Sequence, residues 1–440
     1  MSNHQPTYAL KFLVLFFALL AIPLDYKFYS YLFSGVWLDF HITDLIRIIS
    51  YLPNFFNEVD TEAHLGFDGF YSWILVAGFA IIGIFIWNSL EKRRAGLWFT
   101  DVIYYWLRVV LRYKLAFILI AYGSIKAFPL QFPFPSLSNL YTNYGDFLPW
   151  KIWAHTVGIA SNYEAFLGGL EILAGLFLLY RRTVTFGAAL AIGIIVNVAF
   201  SSFAYDMGNQ TLSVYSFVVA LFLFAHDLPR LYVLLFKEEP TTAEQDPGYV
   251  SSHIALLAKG FSAALLLVIF LSALFNYKQD PYLIPKGAGL KGAYGFYNVK
   301  QFIINGDTIA YSRSDTTRWQ NVVFETWSTI SIKTAKPVKP DTRLYLTRQL
   351  SDIDRVYESA GVGDRRYFRY TIDSVSKTLN LHNKNANYKD ESYQLIFERP
   401  DANTIVLKGV NERKDSVTAV LERADRKYIL IETRRFPIKL

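Results

Sequence analysis

Seven apolar stretches in the first 280 residues constrain the fold more than any other feature of the chain. They cover about residues 8–33, 71–90, 113–128, 163–180, 184–203, 212–229 and 255–276. Long apolar runs with few charges are typical of membrane-spanning helices. No small-residue cleavage site follows the first run, so we interpret it as a retained helix. The sequence therefore predicts a polytopic α-helical membrane bundle with about seven spans.

The last third of the chain has a different pattern. From about residue 290, apolar and polar residues alternate in short stretches, as in strands, and Asn305-Gly306 is a hairpin signal. We predict strands at Phe296–Ile304, Asn321–Glu325, Ile330–Lys333, Arg343–Leu346, Tyr367–Ile372, Thr404–Lys408, Val417–Glu422 and Tyr428–Glu432. About eight to ten short strands in sequence predict a β-rich antiparallel meander, closed or nearly closed as a barrel-like soluble domain. One helical interruption is expected at Asp352–Ala360.

These patterns divide the chain into four predicted domains. Residues 1–112 form an N-terminal membrane extension with two spans and interfacial helices at Ile42–Phe56 and at 102–112. Residues 113–235 form a four-helix membrane bundle, and residues 236–280 contain a linker and the last membrane helix. Residues 281–440 form the β-rich domain.

The charges of the loops predict the orientation of the chain. Six basic residues lie between positions 91 and 114 and two more at Arg181-Arg182, whereas the loop 35–70 carries six acids against Arg47 alone. Basic loops are typically cytoplasmic. The N-terminus is therefore expected in the cytoplasm, and seven spans place the C-terminal domain in the periplasm of a bacterial cytoplasmic (inner) membrane.

The net charge is divided unevenly between the two parts of the chain. Residues 281–440 carry a net charge of +9, and the first 280 residues carry −2. A basic domain beside a bilayer is attracted to anionic headgroups or to an acidic protein partner. The charges are also well mixed along the domain, which fits an ordinary solvated surface, and both interpretations stay open. No nucleic-acid-binding module is evident.

The composition excludes several kinds of chemistry. The chain has no cysteine, which rules out disulfides, thiolate catalysis and iron–sulfur clusters. None of its seven histidines falls near the middle of an apolar stretch, so neither a bis-histidine haem nor a metal site is predicted. We expect no intrinsic cofactor, and a bound quinone is possible.

A few polar residues interrupt the apolar helices of the predicted bundle. Tyr122 and Lys126 share one helix face just before Pro129, where the helix must end. Glu171 lies eight residues into its helix, about 12 Å deep at 1.5 Å per residue. Asn197 lies about 9 Å from the outer end of the fifth stretch. Buried polar groups in a membrane are expensive and often functional.

These residues predict a pocket that opens outward, with Lys126 and Glu171 coupled directly or through Tyr122 or water. Two simpler interpretations stay open. Lys126 can extend to the aqueous surface as ordinary lysines near helix ends do. Glu171 and Asn197 can serve as interhelical hydrogen-bond donors and acceptors where glycines let helices pack closely.

Between about residues 113 and 235 the chain contains a set of spaced aromatic, small and charged residues: Tyr122, Lys126, Phe128-Pro129, Gln131-Phe132-Pro133, Asp146, Pro149, Gly158, Tyr163, Phe166, Gly168-Gly169, Glu171, Gly175, Phe203-Ala-Tyr205-Asp206 and Ser213. This set resembles the DoxX family of four-helix membrane proteins, in the long form with an N-terminal extension and a C-terminal soluble domain. After Asp206 the chain continues Met-Gly-Asn-Gln, whereas the family pattern leads us to expect a turn with proline and lysine.

Related proteins include a subunit of a thiosulfate:quinone oxidoreductase and partners in membrane redox complexes. The resemblance therefore implies a quinone-linked or accessory role in an envelope complex, with a protein partner in the membrane or periplasm. The candidate ligand-binding residues are Tyr122, Lys126, Gln131, Glu164, Glu171, Asn197, Tyr205 and Asp206.

Two alternative functions stay open. The chain can be a non-catalytic membrane module whose outer β domain binds a lipid, an envelope component or a protein. Its layout is also similar to that of vitamin K-dependent carboxylase-like enzymes, which would require Lys126 as a base beside a quinol.

Overall fold

The computed structural model describes residues 8–34, 40–56, 68–93, 98–242, 252–279, 283–343, 351–426 and 428–432. The chain forms two compact units. The first, here called the helical unit, comprises Met1–Phe128 and Ala165–Lys278. The second, here called the barrel unit, comprises Pro129–Glu164 and Gln279–Leu440. The segment Pro129–Glu164, which the sequence analysis assigned to the four-helix bundle, is thus part of the barrel unit. We call it the connecting segment, and its helices are α6 (Leu137–Leu140) and α7 (Pro149–Gly158).

The helical unit is built from long apolar helices. Its helices are α1 (Tyr8–Ala21), α2 (Tyr26–Leu32), α3 (Ile42–Ile49), α4 (Tyr71–Arg93), α5 (Trp98–Ala127), most of α8 (Ser161–Leu179), α9 (Val184–Ala204), α10 (Gln210–Phe236) and α11 (Ser252–Lys278). In the part of the chain that the structure describes, six helical stretches are long and apolar enough to cross a membrane. They are Tyr8–Leu32, Tyr71–Leu90, Ser161–Leu179, Arg181–Ala204, Gln210–Phe236 and His253–Lys278. The predicted helical membrane region is confirmed.

The first predicted span is broken in the middle. α1 ends at Ala21 and α2 begins at Tyr26, because Pro23 lacks the N–H that a continuous helix requires. Asp25 caps α2 by accepting the N–H of Phe28 at 3.1 Å. The Lys114 ammonium donates to the carbonyl oxygens of Leu20 at 3.2 Å and Ala21 at 3.4 Å, so the break is closed by a side chain of α5.

The third predicted span is the second half of a longer helix. The sequence analysis expected an interfacial helix at 102–112 that leads into a span at 113–128, and α5 is one continuous helix of 30 residues. No proline or glycine separates the two parts, so nothing ends the helix. α5 is not among the six membrane-competent stretches. Arg108 Nη1, on α5, lies 2.5 Å from His226 Nε2. The Arg112 guanidinium lies over the ring of Tyr113, 4.9 Å from its centroid.

α3 is shorter and more buried than predicted. The amphipathic stretch was expected to run to Phe56 along the membrane surface, yet the helix ends at Ile49 and its residues from Ile42 to Ile46 are buried. The Ile42 N–H donates to Asn276 Oδ1 at 3.0 Å, which ties α3 to α11. The acids Asp39, Glu58, Asp60 and Glu62 of the predicted acidic loop lie outside the described residues.

The C-terminal region is a closed antiparallel barrel. Its strands are β1 (Gly295–Ile304), β2 (Asp307–Thr308), β3 (Asn321–Phe324), β4 (Thr329–Lys333), β5 (Arg365–Asp373), β6 (Thr378–Asn383), β7 (Ser392–Glu398), β8 (Thr404–Asn411) and β9 (Ser416–Arg423). Neighbouring strands pair in the order β1-β3-β4-β5-β6-β7-β8-β9, and β9 pairs back with β1. The two-residue β2 adds to the edge of β1. The predicted β-rich meander is confirmed as an eight-stranded up-and-down barrel.

Apolar side chains fill the barrel interior. Alternate residues of each strand point inward, among them Phe302, Phe324, Phe368 and Tyr370, and Trp319 packs against Phe302 with the ring centroids 5.6 Å apart. A small barrel filled in this way is a packed core rather than a ligand cavity.

Some details of the strand prediction differ from the structure. The Asn305-Gly306 hairpin is confirmed, with φ angles of 52° and 91° that fit a two-residue turn. The predicted strand at Tyr428–Glu432 is wrong, because Ile429–Glu432 forms a short helix, α12. The predicted helix at Asp352–Ala360 is reduced to a single turn at Asp352–Asp354. Of the predicted strand Arg343–Leu346, all but Arg343 lies outside the described residues.

Candidate functional site

Glycines bring α5 and α8 into close contact. A Cβ atom on Gly168 would lie 2.4 Å from the Gly123 carbonyl oxygen and 2.4 Å from the Ala127 nitrogen. A Cβ atom on Gly175 would lie 2.8 Å from the Ala116 carbonyl oxygen. Any larger residue would push the backbones apart, so these glycines set the distance between the two helices.

The close approach pairs Lys126 with Glu171. The Lys126 ammonium donates to Glu171 Oε1, and the two side chains are 10% and 5% exposed. Among the described residues, Glu171 Oε2 has no hydrogen-bond partner although it is buried. A buried carboxylate with one unsatisfied oxygen can accept a hydrogen bond from a ligand or a water molecule. The pair joins two of the eight residues that the sequence analysis selected.

Tyr122 lies one turn before Lys126 on α5. Ser50, the residue that follows α3, lies beside the Tyr122 hydroxyl and donates its own hydroxyl to the Ile46 carbonyl oxygen at 2.6 Å, and Tyr122 is within electrostatic reach of Glu171. The sequence analysis missed Ser50, because it interpreted the stretch from Ile42 to Phe56 as a surface helix. The group around the ion pair therefore has contributions from α3, α5 and α8.

Gln131 and Glu164 lie in the barrel unit, and they contact each other rather than the Lys126–Glu171 pair. Glu164 Oε1 accepts the N–H groups of Gln131 at 3.2 Å and Phe132 at 3.1 Å. Glu164 is fully buried and Gln131 is 4% exposed. Glu164 thus joins the beginning of the connecting segment to its end, which is a structural use of the carboxylate.

Asn197, Tyr205 and Asp206 are not part of this group. Asn197 is exposed, whereas Ile195, two positions earlier on α9, is buried. Residues two apart on a helix point about 200° apart, so Asn197 faces away from the core of the unit. Tyr205 and Asp206 are also exposed, and Asp206 occupies a left-handed turn with φ 49°. The expectation that Asn197 is buried in the bundle is wrong.

The structure also contains a cluster of buried polar residues that the sequence analysis did not find. It lies between the connecting segment and the outer faces of β3, β4 and β5, which are buried on both sides. We call it the polar layer. Its members are Ser138, Asn139, Lys151, Glu325, Ser331, Glu358, Arg365, Tyr367 and Lys384.

Hydrogen bonds in the polar layer fasten the connecting segment to the barrel. The Ser138 N–H donates to Glu325 Oε1 at 2.7 Å, and Asn139 Nδ2 donates to the Glu358 carbonyl oxygen at 2.9 Å. Lys384 Nζ pairs with Glu358 Oε1 at 2.5 Å, with both side chains almost fully buried. These contacts stabilise the layer as a set, because a buried polar group that loses its hydrogen-bond partner raises the free energy of the folded state.

Burial shifts the pKa values of several groups in and beside this layer. Burial lowers the pKa of Lys151 to about 7, against the opposing effect of the nearby Glu358 charge. Burial, together with the charge of Lys151, lowers the pKa of His155 to about 3. Burial also raises the pKa of Glu325, although the N–H of Ser138 acts in the other direction. The layer is therefore sensitive to pH.

The fold and the buried residues define a class: a multi-pass helical membrane region joined to a closed antiparallel β-barrel domain, with the buried Lys126–Glu171 ion pair between two of the described helices. No protein-family model matches the chain. The uncharacterized protein YwoB of Bacillus subtilis (strain 168) is 38% identical to it over 88 residues. The matched region is 20% of this chain and 56% of the relative, so the chain spans just over half the length of that protein. No solved structure matches the chain.

Proposed function

We propose that the protein is an integral membrane subunit of an envelope complex that binds a quinone or a similar lipophilic molecule at the Lys126–Glu171 pair and supports a redox partner. The observation that carries the proposal is the buried Glu171 carboxylate, whose Oε2 has no partner among the described residues. A hydroxyl of the ligand would donate to Oε2, and a carbonyl of the ligand would accept from Lys126 or Tyr122. The electrons would come from the partner.

The resemblance to DoxX proteins supports the same conclusion. Lys126, Gly168 and Glu171 all belong to the set that carries the resemblance, and they form the ion pair and the close helix contact. Tyr122, another member of the set, lies one turn before Lys126. The ion pair would also favour binding of a lipophilic ligand. The polar atoms of the ligand would form hydrogen bonds with it, and the rest of the ligand would contact the apolar side chains of the bundle.

We place the protein in a bacterial cytoplasmic membrane with the N-terminus inside and the barrel in the periplasm. The basic residues at 91–114 and at Arg181-Arg182 support this orientation. This orientation requires α5, which leads from the basic stretch to the connecting segment, to cross the membrane in addition to the six apolar stretches. The connecting segment and the barrel belong to the same compact unit, which agrees with both lying on one side of the membrane.

Mass spectrometry of the organic extract tests the proposal. The protein is purified gently as the parent and as the Glu171→Gln, Tyr122→Phe and Asn197→Leu variants. Tyr122→Phe leaves the ion pair in place, and Asn197→Leu removes an exposed polar group outside the site. We expect a quinone in a stoichiometric amount in the parent and in Asn197→Leu, and at least a tenfold loss in the other two. Bulk membrane lipid alone, equal in all four proteins, would reject the site.

The two alternative functions differ in what supports them. The barrel interior is filled with side chains, so a lipid or protein partner of the barrel would bind at its outer surface. A carboxylase-like reaction would need the Lys126 nitrogen to be available as a base, whereas here that nitrogen donates to Glu171 Oε1. We therefore retain the binding-module alternative and do not propose the enzymatic one.

A further inference from the structure

A shallow groove with unpaired cations lies at one end of the barrel. It is lined by Lys377, Phe397, Glu398, Arg399 and Pro400 and has a volume of about 590 Å³. We call it the rim groove. It forms where the β5–β6 turn meets the β7–β8 turn, and the Phe397 N–H donates to the Lys377 carbonyl oxygen at 3.0 Å. Two adjacent turns therefore make a single concave surface.

The rim groove has positive charge that the protein does not neutralise. Lys377 and Arg399 are exposed, and within the described residues neither side chain forms a hydrogen bond or an ion pair. The single acid of the groove, Glu398, is already paired with Lys408 at 3.1 Å. Arg423 lies at the same end of the barrel, because the preceding residue, Glu422, pairs with Thr404 at the start of β8.

Both turns are held in fixed conformations. Asp373 accepts the Val375 N–H at 2.9 Å, which supports the turn that places Lys377 in a left-handed conformation with φ 54°. On the other side, Asp401 accepts the N–H groups of Asn403 at 2.7 Å and Thr404 at 2.8 Å. The backbone that carries the two cations is therefore preorganised, which lowers the entropy cost of binding.

We propose that the rim groove binds a phosphate-type anion carried on a larger molecule. The planar Arg399 guanidinium can hold two phosphate oxygens at once, and Lys377 adds a second positive charge. Phe397 and Pro400 offer an apolar wall for the part of the molecule that follows the phosphate. The same chemistry is present in the headgroup of an anionic phospholipid and in a soluble phosphate ester. This site is independent of the Lys126–Glu171 pair.

The test compares the full-length protein with two charge-matched double variants in lipid nanodiscs. Lys377→Ala/Arg399→Ala removes the cations of the groove. Lys336→Ala/Arg313→Ala removes two exposed cations elsewhere on the barrel. All four residues are on the surface, so both variants are expected to fold. Native mass spectrometry counts phosphatidylglycerol retained from mixed phosphatidylcholine and phosphatidylglycerol discs, and calorimetry measures glycerol 3-phosphate binding in phosphatidylcholine discs.

Each result has a defined meaning. Retention of phosphatidylglycerol that falls at least tenfold in the groove variant and stays unchanged in the control variant identifies a lipid headgroup as the ligand. Glycerol 3-phosphate binding that is lost in the same variant, without selective lipid retention, identifies a soluble phosphate ester. Equal lipid retention and equal glycerol 3-phosphate binding in both variants would overturn the proposal.

Discussion

Replacing Lys151 by Met should change how the attachment of the connecting segment to the barrel depends on pH. Lys151 is 1% exposed on α7 (Pro149–Gly158), and its Nζ donates to the Tyr357 carbonyl oxygen at 2.5 Å. Burial lowers the pKa of Lys151 from its ordinary 10.5 to about 7. The attached state thus disfavours the ammonium form, which a detached and solvated segment keeps up to about pH 10.

The direction of the effect follows from proton binding. Between about pH 7 and 10.5 the detached state binds more protons at Lys151 than the attached state, so attachment strengthens as the pH rises. Within this window the slope is about 1.4 kcal/mol per pH unit, and the whole window amounts to about 5 kcal/mol. Below pH 7 Lys151 is protonated in both states, and the free-energy cost of burying its ammonium group does not change with pH. Above pH 7 His155, whose pKa is lowered to about 3 in the attached state, is neutral in both states and adds almost nothing.

Hydrogen exchange of the α7 amides measures this free energy of local opening. From pH 7 to 9, after correction for intrinsic exchange, we expect it to rise by about 2–3 kcal/mol more in the parent than in the Lys151→Met variant. At pH 7 the variant should also be the more protected of the two, because it buries no ammonium group. Lys336→Met, at an exposed position, serves as a control that keeps the parent's pH dependence. The same slope in parent and Lys151→Met would refute the reasoning.

Three further predictions concern packing and buried polar groups. Gly168→Ala should destabilise the helical unit by roughly 1–3 kcal/mol in thermal unfolding, whereas Gly169→Ala, with no atom within 4 Å of the added Cβ, should be neutral; equal effects would contradict the proposed helix contact. Lys384→Met should lower the free energy of unfolding by about 3–5 kcal/mol, because it leaves Glu358 buried and unpaired. Adding Glu358→Leu should restore most of that free energy in the same unfolding measurement, and no recovery would argue against the pair. Glu325→Ala should weaken protection of the Ser138 amide by about 1–3 kcal/mol in hydrogen exchange, and Glu325→Gln should weaken it less, since the amide keeps an acceptor; equal losses would show that Glu325 does not hold this N–H.

The membrane helices and the barrel could be predicted from the sequence because each has its own hydrophobic period. Long apolar runs identify spans, and two-residue alternation identifies strands. The residues at which helices begin and end were harder to predict. α5 is an example, because the charged residues within it do not interrupt the helix. The helix at Ile429–Glu432 contains β-branched apolar residues and has the local composition of a strand, so its sequence pattern indicated the wrong structure.

The candidate site was only partly predictable for a related reason. Lys126 and Glu171 stand out because each is a charged residue in an apolar run, Lys126 in the last turn of α5 and Glu171 near the middle of α8. The side of α9 that carries Asn197 could not be assigned, since this helix is apolar all round and its pattern does not reveal which face is buried. The polar layer brings together residues from Ser138 to Lys384, and only barrel closure and attachment of the connecting segment make them neighbours.

Photoaffinity labelling with a photoreactive quinone analogue in native membranes tests the central claim most directly. The labelled residues are mapped by mass spectrometry in the parent and in Glu171→Gln. The account predicts labels on α5 around Tyr122–Lys126 and on α8 around Glu171, removed by excess unlabelled quinone and lost in the variant. Labels spread over the exposed faces of α9 and α11, unaffected by competition or by the substitution, would contradict a quinone site at the Lys126–Glu171 pair.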